Sequence, residues 1–302
     1  MPRREEVGAS CFTGAAVIAI TNPLDCLKQR WQVEPLASEH RSIGAFAKAV
    51  HEREGLIGGF WRPGLAANMC ACTISVGSRL GLYPLLRDSL GASAGGGASM
   101  FVSGLLGGAA GYIAAAPFFA AARISQAEAG LVGADGILST GARKGLKPTA
   151  PGSDSGLPML AHLARRDGVR GLWRGSTVLV ARGALMSATQ LFTYDTTKRR
   201  LKAVGLTDGP LVHCTASLAA SLTLTTAICP LDVVYTAFLA GPAIGRPSAS
   251  PWACAAALVA EGGPQALMRG WVPLWARFLP SSVLTFLIYE QARRALLGSY
   301  LD

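Results

Sequence analysis

Residues Asn22 to Gln32 read NPLDCLKQRWQ, a proline late in a long apolar run with Asp25, Lys28 and Arg30 within two turns behind it. Upstream, from Val7 to Leu24, there is no Asp, Glu, Lys or Arg. A proline inside a helix withholds one backbone hydrogen bond and crowds the carbonyl four residues earlier, so Pro23 kinks a helix of membrane length. In lipid such a kink, with charges just past it, is tolerated where the freed carbonyl and the charges face other protein or a water-filled cavity.

The arrangement occurs three times. Pro117 opens PFFAAARISQ and Pro230 opens PLDVVYTAFL, each late in an uncharged run. Each proline is followed by an aromatic residue or Met and then an arginine: Trp61-Arg62, Trp173-Arg174-Gly175 and Met268-Arg269-Gly270. Proline and arginine are 39, 57 and 39 residues apart, so the middle copy carries 18 extra residues. Tyr83, Tyr194 and Tyr289 follow 21, 20 and 20 residues after the arginines. Landmarks matched in three copies identify internal repeats, here 1–90, 91–205 and 206–302. The extra length falls at 130–156, rich in Gly, Ser, Pro and Lys, and is expected to be a mobile loop. Each repeat reads as a kinked helix, a short amphipathic helix and a second long helix. The short helices are Ile43 to Arg53, Pro158 to Arg166 and Pro251 to Ala260, closed by Glu54-Gly55, Asp167-Gly168 and Glu261-Gly262.

Composition agrees with membrane residence. Of 302 residues half are hydrophobic and 15% charged, mean hydropathy is +0.35, and 36 glycines suit closely packed transmembrane helices. Six apolar runs reach spanning length: 7–27, 63–83, 89–122, 175–194, 210–231 and 270–289. The net charge of +10 resides in loops and is not interleaved with aromatics, so no nucleic-acid partner is expected. Eight basic against four acidic residues between Arg123 and Arg174 turn that side toward the negative compartment. The seven cysteines form no CxxC and read as free thiols in a reducing compartment. His40, His51, His162 and His213 are scattered without metal spacing, and no phosphate-binding glycine loop follows a strand, so neither an enzyme nor a metal or cofactor is expected. MPRREEV is too short and too acidic for a cleaved targeting peptide.

Repeats of Pro-x-Asp-x-x-Lys-x-Arg followed by acid-Gly-x-x-x-x-aromatic-Arg-Gly resemble the mitochondrial carrier family over nearly the whole chain. The resemblance implies an all-α membrane protein of the mitochondrial inner membrane. Six transmembrane helices would form three pseudo-symmetric two-helix repeats around a central cavity, with short amphipathic helices on the matrix side. It further implies a monomer that meets membrane lipid, cardiolipin on the matrix side, and that alternates between two gates. Within the family, GLWRGSTVLVARGALMSATQLFTYDTTK is similar to the oxaloacetate and sulfate carrier branch.

The family pairs the acid of one repeat with the base of the next. Laid on the three kink prolines Pro23, Pro117 and Pro230, the matrix-side acid positions are Asp25, Phe119 and Asp232, and the basic ones Lys28, Ala122 and Tyr235. The implied gate keeps one ion pair, Asp232 with Lys28. It leaves Asp25 facing Ala122 without a partner and Phe119 against Tyr235 in an apolar contact. The bracing positions nine after each proline hold Gln32, Gln126 and Leu239. Such a gate is expected to close less firmly than the opposite one, where YPLLR, YDTTK and YEQAR bring Asp195 to Arg293 and Glu290 to Arg87, with Lys198 unpartnered because Pro84 replaces an acid.

Eight residues past Arg174 and Arg269 stand Arg182 and Arg277, each the sole charged residue of its run. The second run holds Arg79, about two turns nearer the intermembrane end. An arginine at membrane depth keeps its charge and must find an anion or carbonyl. Three guanidinium groups with no acid at their level ask for a small dianion. Ser187, Thr189, Gln190, Ser281, Ser282 and Thr285 are available as neutral hydrogen-bond partners. The expected function is transport of a dicarboxylate or 2-oxo acid such as oxaloacetate or malate, or of sulfate or thiosulfate, by exchange or with a proton. The alternative is a non-transporting adaptor or a proton leak.

Overall fold

The computed structural model describes residues 4–34, 42–89, 97–150, 152, 155–203 and 210–297. Among these are nine α-helices and no strand longer than an isolated bridge. Six helices are long: α1 (Arg4–Val33), α3 (Leu65–Ser89), α4 (Gly97–Ala127), α6 (Ser176–Ala203), α7 (Pro210–Ala240) and α9 (Trp271–Leu297), of 25 to 31 residues each. The short ones are α2 (Ile43–Leu56), α5 (Leu157–Gly171) and α8 (Pro251–Gly262). α1 packs on α3, α3 on α4, α4 on α6, α6 on α7, α7 on α9 and α9 on α1, which closes a ring. The kinked helices α1, α4 and α7 are by themselves long and apolar enough to cross a membrane.

The kinks have a local cause and a local remedy. Pro23, Pro117 and Pro230 all lie inside helices. Each leaves the carbonyl four residues earlier without its helical donor. The indole of Trp61 donates to the Ala19 carbonyl at 2.8 Å, and that of Trp173 to the Ile113 carbonyl at 2.9 Å. Ala19 and Ile113 are those freed positions. In the third repeat Met268 cannot donate, and Trp271 instead reaches the Thr226 hydroxyl at 3.1 Å, four residues before Pro230. In the first two repeats the recurrent tryptophan thus supplies the hydrogen bond that the proline removes.

The glycine stops take positive φ, at Gly55 (74°) and Gly168 (71°) as expected, but at Gly263 (70°) rather than Gly262. A second left-handed set, Gly64, Gly175 and Gly270, joins one repeat to the next. A Cβ at Gly64 would lie 2.7 Å from the Ala122 carbonyl, at Gly175 3.2 Å from the Tyr235 ring, and at Gly270 3.1 Å from Gln32. The cyclic order, first on second, second on third, third on first, is repeated by the arginines: Arg174 stacks on Phe238 and Arg269 on Trp31.

Residues 130–150 of the middle repeat's extra segment form a loop of turns and one isolated bridge, held by defined side-chain contacts. The buried Glu128 carboxylate accepts from Arg143 Nη1 at 3.1 Å and from Thr149 Oγ1 at 2.8 Å, and Val132 bridges Leu138. A buried carboxylate with two donors ordered around it overrides a flexible composition. Ala142 of this segment then packs on Val33, Ala127 and Ala240, each ten residues past its proline, so the insertion covers the point where the three kinked helices converge.

Candidate functional site

Where α1, α4 and α7 converge, the polar side chains after the prolines are buried together. Lys28 Nζ lies 2.5 Å from Asp232 Oδ2, and Gln32 Nε2 donates to the same oxygen at 3.1 Å. Lys28 and Asp232 are 0% and 1% exposed, so each requires the other: a buried charge without a partner is far costlier than a buried pair. With its amide oxygen toward Lys28, Gln29 accepts from Lys28 Nζ at 3.0 Å and from Arg123 Nη1, and donates to Thr236 Oγ1 at 2.6 Å. Phe119, Ala122 and Tyr235 fall into one apolar cluster, as the missing charges at those positions lead one to expect.

The expected vacancy at Asp25 is not there. Arg277 Nε sits 3.1 Å from Asp25 Oδ1, and Asn68 Nδ2 is 3.5 Å from Oδ2. Arg182 Nε likewise lies 2.9 Å from Asp232 Oδ1. Both are ionic contacts without hydrogen-bond alignment at Nε. The two arginines were expected to stand unneutralised at mid-depth; instead each reaches a carboxylate of the buried layer. The physical reason is length: a guanidinium on a four-atom stem a turn or two away from a buried acid does not stay apart from it.

Above this layer lies a cavity of about 690 Å³ including its mouth, lined among others by Asp25, Tyr112, Arg123, Arg182, Arg277 and Ser281. Four of the long helices besides α1 contribute, and the lining residue Arg182 reaches from the cavity to Asp232. Sequence reasoning placed Arg182 and Arg277 here. It passed over Arg123, Asn68, Tyr112 and Asn22. Asn22 donates to the Trp61 carbonyl at 2.6 Å and the Pro63 carbonyl at 3.1 Å and accepts from Gln126 at 3.0 Å, which brings Gln126 into the layer as a brace. The signal for Arg123 was register: it stands six residues after Pro117, as Gln29 and Thr236 stand after Pro23 and Pro230.

Several expected residues lie elsewhere. Thr285 is exposed and its hydroxyl donates to the Ser281 carbonyl one turn back. The side chains of Arg79, Gln190, Arg87, Asp195, Glu290 and Arg293 lie outside the described residues, so of the second gate only Lys198, partly buried, is described. On the opposite face the acids that precede the glycine stops each hold an arginine. Glu54 clasps Arg30 at 2.5 and 2.7 Å, Asp167 takes its neighbour Arg166 at 2.8 and 2.7 Å, and Glu261 takes Arg246 at 3.1 Å. Hydrogen bonding from Arg166 holds the Asp167 carboxyl below the usual carboxylate range. Six cysteines among the described residues are free.

The profile of the mitochondrial carrier protein family matches residues 4–94, 96–204 and 207–300. The chain is a mitochondrial carrier. It is accordingly an all-α transporter of the mitochondrial inner membrane. Similar carriers include mitochondrial uncoupling protein 6 of Arabidopsis thaliana, 32% identical over 86% of this chain and 74% of the relative. The mouse mitochondrial 2-oxoglutarate/malate carrier protein is 30% identical over 94% of this chain and 88% of its own. The dog mitochondrial brown fat uncoupling protein 1 is 29% identical over 99% and 94%.

Proposed function

We propose that this carrier moves small dianions, a C4 dicarboxylate or 2-oxo acid of the malate and oxaloacetate kind or a divalent oxyanion such as sulfate, by alternating access. The observation that carries the reading is that Arg182 and Arg277 line one cavity while each touches a gate carboxylate. A substrate carboxylate that takes the guanidinium fork competes with Asp232 and Asp25 for it. Loading the cavity therefore weakens two of the contacts that hold the converging helices together, and a ligand that binds the loosened arrangement better shifts the population toward it. On this reading the face bearing α2, α5 and α8 is the matrix face, and Asp25, Lys28, Gln32, Asp232 and Gln126 form its gate. Exchange follows if the loosened gate recloses only around a second anion.

The reading is tested by uptake into vesicles preloaded with oxaloacetate, malate, malonate, sulfate, phosphate or ATP. Saturable uptake of dianions, lost in Arg182→Ala and Arg277→Ala, is the expected result. Uptake of ATP with indifference to dicarboxylates would overturn it. A second reading draws on relatives named uncoupling proteins: a carrier in which protons cross without a metabolite. Proton flux into substrate-free vesicles, measured with a pH-sensitive dye, separates the two. A protein that moves neither protons nor any of these anions is an adaptor.

A further inference from the structure

We propose that Arg123 is an additional anion-binding side chain of the cavity, and that it makes the cavity floor selective for two negative charges over one. The proposal deepens the transport reading above and rests on it. Lys28, Arg123, Arg182 and Arg277 meet at the floor with Asp25 and Asp232, and none of the six is more than 14% exposed. Four cations against two carboxylates leave an excess of two positive charges among the described residues. Lys28 and Arg182 share Asp232, and Arg277 takes Asp25. Arg123 takes neither: its Nη1 meets the neutral amide of Gln29, and its Nε is buried without a partner.

A guanidinium keeps its proton at any physiological pH, so burial is relieved only by an anion or by further acceptors. Arg123 lines the same cavity as Arg182 and Arg277. Its equivalents in the other two repeats, Gln29 and Thr236, are neutral. The charge that Arg123 adds to the surplus is thus particular to the middle repeat and faces the space a substrate would enter. A dianion balances the floor; a monoanion leaves one positive charge over.

The test uses the full chain purified in detergent micelles, with thermal unfolding followed by tryptophan fluorescence while malonate, sulfate or chloride is titrated at constant ionic strength. Wild type is expected to be stabilised saturably by malonate and sulfate and little by chloride. In Arg123→Gln the half-saturating malonate concentration should rise about tenfold, the loss typical of one hydrogen-bonded charge contact. Arg123→Lys keeps the charge and loses the fork, and should raise it about threefold. The proposal is overturned if both variants half-saturate as wild type does while Arg182→Ala does not, or if no dianion stabilises wild type. Arg123-dependent stabilisation in a protein that carries no anion into vesicles supports the site and counts against the transport reading alone.

Discussion

Asp232 holds more of the buried polar layer than its partner Lys28, and the two can be separated by neutral substitution. Asp232 contacts Lys28 at 2.5 Å, Arg182 at 2.9 Å and the Gln32 amide at 3.1 Å. Asp232→Asn therefore orphans two buried cations at once. Removing one partner of a buried pair costs about 3–5 kcal/mol, and the second cation places this variant at the upper end. Lys28→Gln leaves Asp232 with Arg182 and Gln32, so its cost is closer to that of one lost charged hydrogen bond, about 1.5–3 kcal/mol. At roughly 2 °C per kcal/mol for a chain of this size, Asp232→Asn should lower Tm by about 8–10 °C and Lys28→Gln by about 3–6 °C.

The double variant is the sharper measurement. Lys28→Gln with Asp232→Asn removes one of the two cations that Asp232→Asn strands, so it should be more stable than Asp232→Asn alone, an interaction of the size seen between contacting groups. The six tryptophans make intrinsic fluorescence a direct assay in detergent. Equal losses in the two single variants, or a double variant whose loss is the sum of both, would refute the claim that Asp232 is shared between Lys28 and Arg182.

Charge reversal gives a related outcome. Lys28→Asp and Asp232→Lys should each abolish uptake, and the double reversal should recover only part of it, because the new ammonium stands against Arg182; full recovery would remove Arg182 from the gate. Trp61→Phe takes the donor from the Ala19 carbonyl and should cost about 1–3 kcal/mol. The same change on a Pro23→Ala background should cost much less, since the helix then supplies its own donor, and an undiminished cost would show that the indole acts by packing. Gly270→Ala forces a side chain into φ +94° with its Cβ 3.1 Å from Gln32, and should lower Tm and dianion uptake together; a silent Gly270→Ala would mean that Gln32 gives way without disturbing Asp232.

The fold was legible because it is written in periodic, local terms. A proline at a fixed place in three apolar runs sets the kink, and in the first two repeats an indole, 38 residues past its proline in one and 56 in the other, meets the carbonyl that the proline frees. The Lys28–Asp232 contact was legible through the resemblance, which pairs the acid of one repeat with the base of the next. Contacts that cross the ring obliquely were not. Arg277 to Asp25 and Arg182 to Asp232 join an even-numbered run to a kinked helix, and their meeting depends on how far each guanidinium descends, which no count along the chain supplies. Composition at 130–156 gave no sign of the contacts that Glu128 makes with Arg143 and Thr149, because it averages over residues.

On the proposed transport reading, the gate that looked depleted is a redistributed one. With Ala122 and Tyr235 in place of bases, the family pattern left a single ion pair, and weak closure followed from that count. In the folded chain the charges absent from the gate ring return from the cavity side as Arg182 and Arg277, and Ala142 covers the apolar triad of Val33, Ala127 and Ala240 beyond it. On that reading closure rests on the residues that would face the substrate. A gate fastened by cavity arginines opens in proportion to how well an anion competes for them, whereas a gate fastened by its own ring pairs would have to be opened from farther away. The proposed reading thus ties the degenerate positions to a tighter link between occupancy and opening.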